Sequence, residues 1–309
     1  MTNDRQPEDI AAQLAVHPDY RVLRRLDTAR EWPALSGPTV KRAAVIDTET
    51  TGTDPATDKV IELAVVVFEY CRTTGAVGRV LGRYDGLEDP GVPVPPESTA
   101  IHGITDAMVA GQRLDEAEIA QLLDGVAIVI AHNAGFDRKF LEPRLPAFAA
   151  LPWACSWQEI PWSEAGIESS KLEYLAYRYG FFYDGHRAEV DCLALLEVLR
   201  RPFVRKGGEG AGETALKVLL DSARETSYRL WATNSPFESK DMLRKRGYWW
   251  DAPARCWSRE LWSRDEVQAE LKWLKDTVYG GKSVALDLDE FDARTRYSTR
   301  PGKRERVRT

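Results

Sequence analysis

The sequence predicts an α/β fold built on a mixed sheet, followed by a second, smaller α+β unit. Three observations predict it. Apolar, β-branched runs come first as a meander and then alternate with helical stretches, which is the order of a mixed sheet. A glycine-rich charged segment, RKGGEGAGETA at 205–215, interrupts the chain. Beyond it lie six of the ten tryptophans, between Trp231 and Trp273. A length of 309 residues also suits two domains better than one.

The elements follow in order. Residues 8–30 read as helical, because Ile10, Leu14, Tyr20, Leu23 and Leu26 recur at mostly helical spacing, interrupted at Pro18. Trp32, Pro33, Gly37 and Pro38 mark a loop. AAVIDTET and VIELAVVVFEY read as strands, with RVLGRYDGL as a third. A Pro/Gly-rich stretch runs from Asp89 to Pro96, and residues 114–124 are helical. AIVIAHN reads as a buried strand and GFDRKFLEPRL as a helix start, with further helices at KLEYLAYRYG and EVDCLALLEVLRR. In the second unit, YRLWATN reads as a strand and PFESKDMLRKRG as a helix closed by Gly247. YWWDAPARCWSREL reads as a hairpin and DEVQAELKWLKDTVYG as a second helix. The stretch from Arg294 to Thr309 has seven Lys+Arg and one Glu, a composition that predicts disorder. The expected divisions are a helical extension at 1–40, a main domain at 41–204, a linker at 205–225, a small Trp-rich basic domain at 226–280 and a basic, disordered tail at 281–309.

Composition excludes several classes. A hydrophobic content of 43% and a charged content of 29% are ordinary for a globular protein, which argues against wholesale disorder. The four cysteines, Cys71, Cys155, Cys192 and Cys256, form no CxxC pair, so neither a disulfide scaffold nor a structural zinc site is expected. The start MTNDRQPEDI is polar and acidic, unlike a signal peptide, and no apolar run approaches the roughly 20 residues of a membrane span. A cytoplasmic protein is the expectation. The net charge of −6 is uneven: residues 226–309 carry 18 Lys+Arg against 13 Asp+Glu, so a polyanionic partner is not excluded there.

Three constellations carry chemistry. In Asp47-Thr48-Glu49, side chains at i and i+2 of a strand share a face, so two carboxylates project together. They repel unless a cation lies between them, and oxygen donors suit magnesium or manganese. Alone, so short a pattern is better explained by a solvated strand end. In Ala131-His132-Asn133-Ala134-Gly135-Phe136-Asp137, a strand runs into a turn and Asp137 falls near the next helix N-terminus, where the dipole alone would favour it. In His186-x4-Asp191, Asp191 falls in the stripe Ala188, Asp191, Leu195, Val198, a costly place for an unpaired carboxylate. His186 follows Asp184-Gly185 on the loop at the helix entrance.

Together the three resemble the DEDDh 3′→5′ exonucleases, the family of the proofreading epsilon subunit of bacterial DNA polymerase III. DTETTG is similar to the family's first motif, HNAGFD to its second, HRAEVD to its third and IHGIT (Ile101 to Thr105) to a further epsilon-like element. The resemblance covers 41–200. The sister DEDDy group carries a tyrosine where this chain has Arg187, while His186 holds the DEDDh position. The resemblance implies an RNase H-like, five-stranded mixed sheet flanked by helices. It implies two divalent metal ions, Mg2+ or Mn2+, held by Asp47, Glu49, Asp137 and Asp191, with His186 as general base. The implied activity is removal of 5′-mononucleotides from DNA 3′ ends, single-stranded ends first, in proofreading with a DNA polymerase or in DNA repair. Trimming of RNA is the alternative. A non-cleaving nucleic-acid-binding or polymerase-docking module comes last, since it predicts a lost carboxylate or histidine. Thr50, Thr53, His102, Asn133 and Phe136 fall at positions implied to meet the nucleotide. Thr53 departs from the bulky apolar residue common there, which offers a base less stacking area.

In the second unit, Lys240, Arg244, Lys245 and Arg246 crowd one short helix, with Trp249, Trp250, Trp257 and Trp262 after it. KDMLRKRGYWWD…RCW is similar to a small module fused to various nucleic-acid enzymes, a resemblance that implies no chemistry. Most of the tryptophans are expected to form the core of so small a unit. The basic surface left over makes Lys240, Arg244 and Lys245 the expected accessory nucleic-acid contacts.

Overall fold

The computed structural model describes residues 7–208 and 212–309. The first sheet contains β1 (Val40–Thr50), β2 (Val60–Cys71), β3 (Val77–Leu87), β4 (Val126–Ala131) and β5 (Trp153–Cys155), in the order β3-β2-β1-β4-β5. The β1–β2–β3 meander is antiparallel, and β4 and β5 add in parallel beside β1. This is the five-stranded mixed sheet that the sequence predicts. Helices cover both faces, so β1 and β2 read as nearly continuous apolar runs, as a doubly buried sheet requires. One core lies under α2 (Leu172–Arg178) and α3 (Ala188–Leu199). The other lies under α1 (Ala134–Arg144), where Phe140 and Leu141 meet Trp153 and Phe148.

Three expectations about organisation change. The N-terminal helix spans Pro7–Ala15 only. Beyond it Arg24 and Arg25 pair in parallel with Phe181 and Phe182, and Leu26 and Trp32 pack on the α3 core. Pro18 and these backbone bonds to a distant strand override the helical spacing. The expected linker 205–225 contains α4 (Ala215–Ser222), whose Leu216, Leu219 and Leu220 are buried in the first domain's core. Thr214 caps that helix by accepting from the Lys217 N–H at 3.1 Å. Residues 209–211 of the glycine run lie outside the described residues.

The expected disordered tail is the third change. The C-terminal domain is an antiparallel sheet of β6 (Ser227–Trp231), β7 (Trp249–Asp251), β8 (Cys256–Leu261), β9 (Ala285–Phe291) and β10 (Lys303–Arg308), in the order β7-β8-β6-β9-β10. Two helices, α5 (Lys240–Lys245) and α6 (Arg264–Trp273), accompany it. The tail thus supplies two of the five strands, and the domain runs to the end of the described chain. Two of its β10 arginines are paired: Arg304 holds Asp289 at 2.6 Å and Arg306 holds Asp287 at 2.8 Å.

Between β9 and β10, residues 292–300 form a strap across the first domain. The Trp153 N–H donates to the Ala293 carbonyl at 2.7 Å. Arg138, wholly buried on α1, donates to the carbonyls of Ala293 (3.1 Å), Arg294 (2.5 Å) and Arg296 (2.6 Å) and to Glu142 (2.6 Å). Arg296, also buried, pairs with Glu159 at 2.7 Å and donates to Ser227 at 2.9 Å. Tyr297, at φ +69°, donates its hydroxyl to Glu159 at 3.0 Å. Buried charge in this strap is therefore paired and hydrogen-bonded. The tryptophans divide. Trp231 is buried, and Trp257 and Trp273 pack against a core that includes Leu230, Leu243, Val267, Leu271, Leu286 and Leu288, whereas Trp249 and Trp250 are exposed.

Candidate active site

The site lies where β1 ends. Asp47 and Glu49 project from its last turns, opposite Ala64 and Glu62 of β2, and a bulge between Glu49 and Thr50 breaks the register just beyond them. Gly52 follows, with the Asp58 carboxylate so near that a Cβ there would lie 2.5 Å from it. Asp58 in turn accepts from the Asp54 N–H at 2.8 Å, which closes the turn.

Asp47, Glu49 and Asp191 each offer a carboxylate oxygen, and these oxygens all lie within 4.8 Å of one another. Asp191 stands on the first turn of α3. Its Oδ2 accepts from the His186 N–H (2.8 Å) and the Arg187 N–H (3.2 Å), and its Oδ1 accepts from the Tyr183 hydroxyl (3.1 Å). Asp137, on the first turn of α1 and nearly fully buried, lies outside that trio and accepts from the Thr48 hydroxyl at 2.9 Å.

The four carboxylates are not at ease. Burial, then the charges of Asp137, Asp191 and Glu49, hold the Asp47 carboxyl well above the usual carboxylate range. Burial, then Asp191 and Glu62, pushes Glu49 up to about 8. Burial raises Asp137 to about 7 against the pull of Thr48, and raises Asp191 against that of Tyr183. Among the described residues, no lysine or arginine forms an ion pair with any of them. Clustered oxygen donors with uncompensated negative charge fit a hard divalent cation, and these residues would hold it.

His186 lies on the loop before α3, exposed and at φ +67°, a left-handed conformation rare for a residue other than glycine. Asp191 holds that turn through two backbone N–H groups. His102 is buried at the end of the helix Pro96–His102, and its Nδ1 accepts from the Ile104 N–H at 3.0 Å. Its Nε2 is buried without a hydrogen-bond partner among the described residues, and Glu62 and His186 lie near it. Thr50 is buried and donates to the Gly52 carbonyl, while Thr53 is exposed on the turn. Asn133 caps α1 in position only, with no side-chain capping bond, and Phe136 stands half-buried 4.9 Å from the Phe140 ring. Lys240, Arg244 and Lys245 belong to α5 of the second domain rather than to this cluster.

Two supporting residues were not expected from the sequence. Glu62, buried on β2, accepts from Arg187 Nε (2.9 Å) and Nη2 (2.7 Å) and from the Ala188 N–H (3.0 Å). The pairing ties β2 to the start of α3, with the Arg187 guanidinium against the carboxylate that faces Glu49. A glutamate near the start of an otherwise apolar strand was the signal available. Tyr183, which steadies Asp191, has no such signal. In the HNAGFD motif, burial pushes the His132 ring down to about 4, its Nδ1 lies 2.9 Å from the Ser156 hydroxyl, and it stacks on Trp157.

Comparison with known proteins follows the same residues. The RNase T family model, described as Exonuclease, matches residues 44–199. A "DNA polymerase III subunit epsilon-like protein" of Rhodobacter capsulatus is 41% identical over 102 residues, covering 31% of this chain and 14% of that protein. A "DNA polymerase III PolC-type" protein of Thermotoga maritima is 32% identical over 111 residues, covering 35% and 8%. The "DNA polymerase III subunit epsilon" of Treponema pallidum is 28% identical over 162 residues, covering 49% and 72%. The chain therefore spans only a small part of the first two relatives' length. Among solved structures, "Exonuclease X in complex with 5′ overhanging duplex DNA" is 25% identical at a TM-score of 0.40, covering 57% of this chain and 99% of that one. The nuclease domain of 3′hExo, "a DEDDh family member, bound to rAMP", is 19% identical at 0.40, covering 52% and 91%. With the matched residues spanning just over half of its length, the chain belongs to the exonuclease family.

Proposed function

We propose that this protein is a metal-dependent 3′→5′ exonuclease that removes 5′-mononucleotides from DNA, single-stranded ends first. The observation that carries the reading is the carboxylate trio within 4.8 Å, with Asp137 buried beside it and an exposed histidine on the adjoining loop. Asp47, Glu49, Asp137 and Asp191 would hold two divalent cations, Mg2+ or Mn2+. Bound there, such ions supply charge neutralisation and orientation for in-line attack on a phosphodiester. The chain's own groups do the rest. His186 accepts a proton from the attacking water at its imidazole. Tyr183 and the backbone of residues 186–187 keep Asp191 aimed inward. Thr50, Thr53, His102, Asn133 and Phe136 border the terminal nucleotide. DNA as substrate is supported by relatives that carry DNA polymerase III names.

The test is a digestion panel of single-stranded DNA, duplex DNA, mismatched ends and RNA with Mg2+ or Mn2+. Stepwise trimming of DNA, lost in Asp47→Ala protein, is expected. Trimming of RNA alone would make the enzyme an exoribonuclease, and no trimming of any end would leave a non-cleaving module. Co-purification with replicative DNA polymerase tests a proofreading partnership.

A further inference from the structure

One group of cations in the second half is paired: in the strap and β10, Arg296 with Glu159, Arg300 with Glu142, Arg304 with Asp289 and Arg306 with Asp287. A second group surrounds a cleft of about 370 Å³ between the β7–β8 hairpin and the start of α5, within the size range of small-ligand sites. Lys240 and Arg255 line it, together with Phe237, Trp250 and Trp257 and no carboxylate. Neither Lys240 nor Arg255 has an ion-pair partner among the described residues. Arg244 beside them has a 4.0 Å ion-pair contact with Asp241 and lies 5.9 Å from the Trp257 ring centroid.

The aromatic groups are unusually open. Phe237 is 75% exposed and Trp250 is 50% exposed. Trp257 meets Trp250 edge-on at 5.7 Å and props it, so a face of Trp250 remains available. The Lys240 ammonium lies 4.3 Å from the Phe237 ring centroid. Both rim turns are held left-handed, at Asn234 (φ +57°) and Arg255 (φ +50°), an uncommon conformation for arginine.

We propose that this cleft is a single-strand nucleic-acid site, in which an unpaired base stacks on Trp250 and Phe237 while Lys240 and Arg255 hold the flanking phosphates. Rings with open faces read bases that are unstacked, and a carboxylate-free cationic rim suits a phosphate backbone. In a duplex the base faces are already covered. The choice of polymer rests on the exonuclease reading; the cleft itself does not.

The experiment uses the full chain carrying Asp47→Asn, so that binding is read without cleavage. Fluorescein-labelled oligothymidylate, oligouridylate and a DNA duplex are titrated by anisotropy at moderate salt. The expected result is that Phe237→Ala/Trp250→Ala and Lys240→Glu/Arg255→Glu each weaken single-strand binding at least tenfold. Trp250→Phe, which keeps a ring, should stay within about threefold, and the duplex should bind more weakly than either single strand. Circular dichroism monitors folding. If the aromatic pair unfolds the domain, the charge-reversal pair decides. Unchanged binding in a folded charge-reversal variant, or duplex binding as tight and as sensitive to both pairs, would overturn the proposal. A wild-type protein that binds strands through the cleft but never cuts them would support this site and sink the exonuclease reading alone.

Discussion

Asp137 and Arg138 are neighbours on one helix, both buried, and they belong to opposite kinds of electrostatic environment. Asp137 joins carboxylates that burial and mutual repulsion hold above their usual range, with no ion-pair partner among the described residues. Arg138 joins a cluster in which three strap carbonyls and Glu142 take up its guanidinium. A folded chain tolerates buried charge cheaply only when it is paired. Paired charge in the strap therefore marks structure, and unpaired charge at the end of β1 marks a site shaped for cations from solution. The contrast also means that the second domain does not hang from a free linker. Its strap braces the helix that presents Asp137.

The largest expected effect breaks the two environments apart. Asp137→Asn should lower turnover by about 10^3-fold or more while leaving the melting temperature unchanged or raised, because a repelling charge is removed. Arg138→Ala should do the reverse in origin: it removes a wholly buried side chain with its hydrogen bonds and leaves the Arg296 carbonyl without its donor, at a cost of roughly 3–5 kcal/mol, and activity falls only as the protein unfolds. Calorimetry alongside steady-state kinetics separates the two. Equal destabilisation by both substitutions would erase the distinction. Arg296→Ala should cost a similar roughly 3–5 kcal/mol by leaving Glu159 buried and unpaired. Loss of stability confined to the C-terminal domain, read by hydrogen exchange, would show that the strap does not brace the first domain.

A smaller effect concerns pH. Glu49 has a folded-state value of about 8, above its unfolded one, so its stabilising contribution is present at low pH and lost as pH rises toward 8. Between pH 6.5 and 8 the metal-free wild type should lose more melting temperature than Glu49→Gln protein, and millimolar Mg2+ should close the gap. Parallel melting curves for the two proteins across that window would contradict the electrostatic strain. The smallest effect is at the exposed turn. Thr53→Leu should lower KM for single-stranded ends by about threefold through added apolar contact with the terminal base. An unchanged KM would remove Thr53 from the nucleotide's surroundings.

The nuclease sheet was legible because a doubly buried strand leaves unbroken β-branched runs such as those of β1 and β2. β5 was not, since three residues, Trp153–Cys155, are too few to show a period. The acids and His186 could be read because they recur as motifs at element ends. Glu62 and Tyr183 could not, since their partners lie in other motifs. The tail misled for a physical reason. An arginine-rich stretch looks solvated until its partners are known, and those of Arg296 lie 137 residues away at Glu159 and 69 away at Ser227. Tryptophan content misled only in part: Trp231 is buried and Trp257 and Trp273 pack on the core, while Trp249 and Trp250 stand at the surface.

The most direct test of the active-site assignment is the product ladder from 5′-labelled single-stranded DNA with Mg2+ or Mn2+, run for wild-type, Asp137→Asn and His186→Ala proteins. The expected result is a ladder shortening one nucleotide at a time from the 3′ end in wild type, with both variants slowed by at least about 10^2-fold. Immediate release of the label as a mononucleotide, or ladders from both variants that match wild type, would contradict the assignment of these residues to a 3′→5′ exonuclease site.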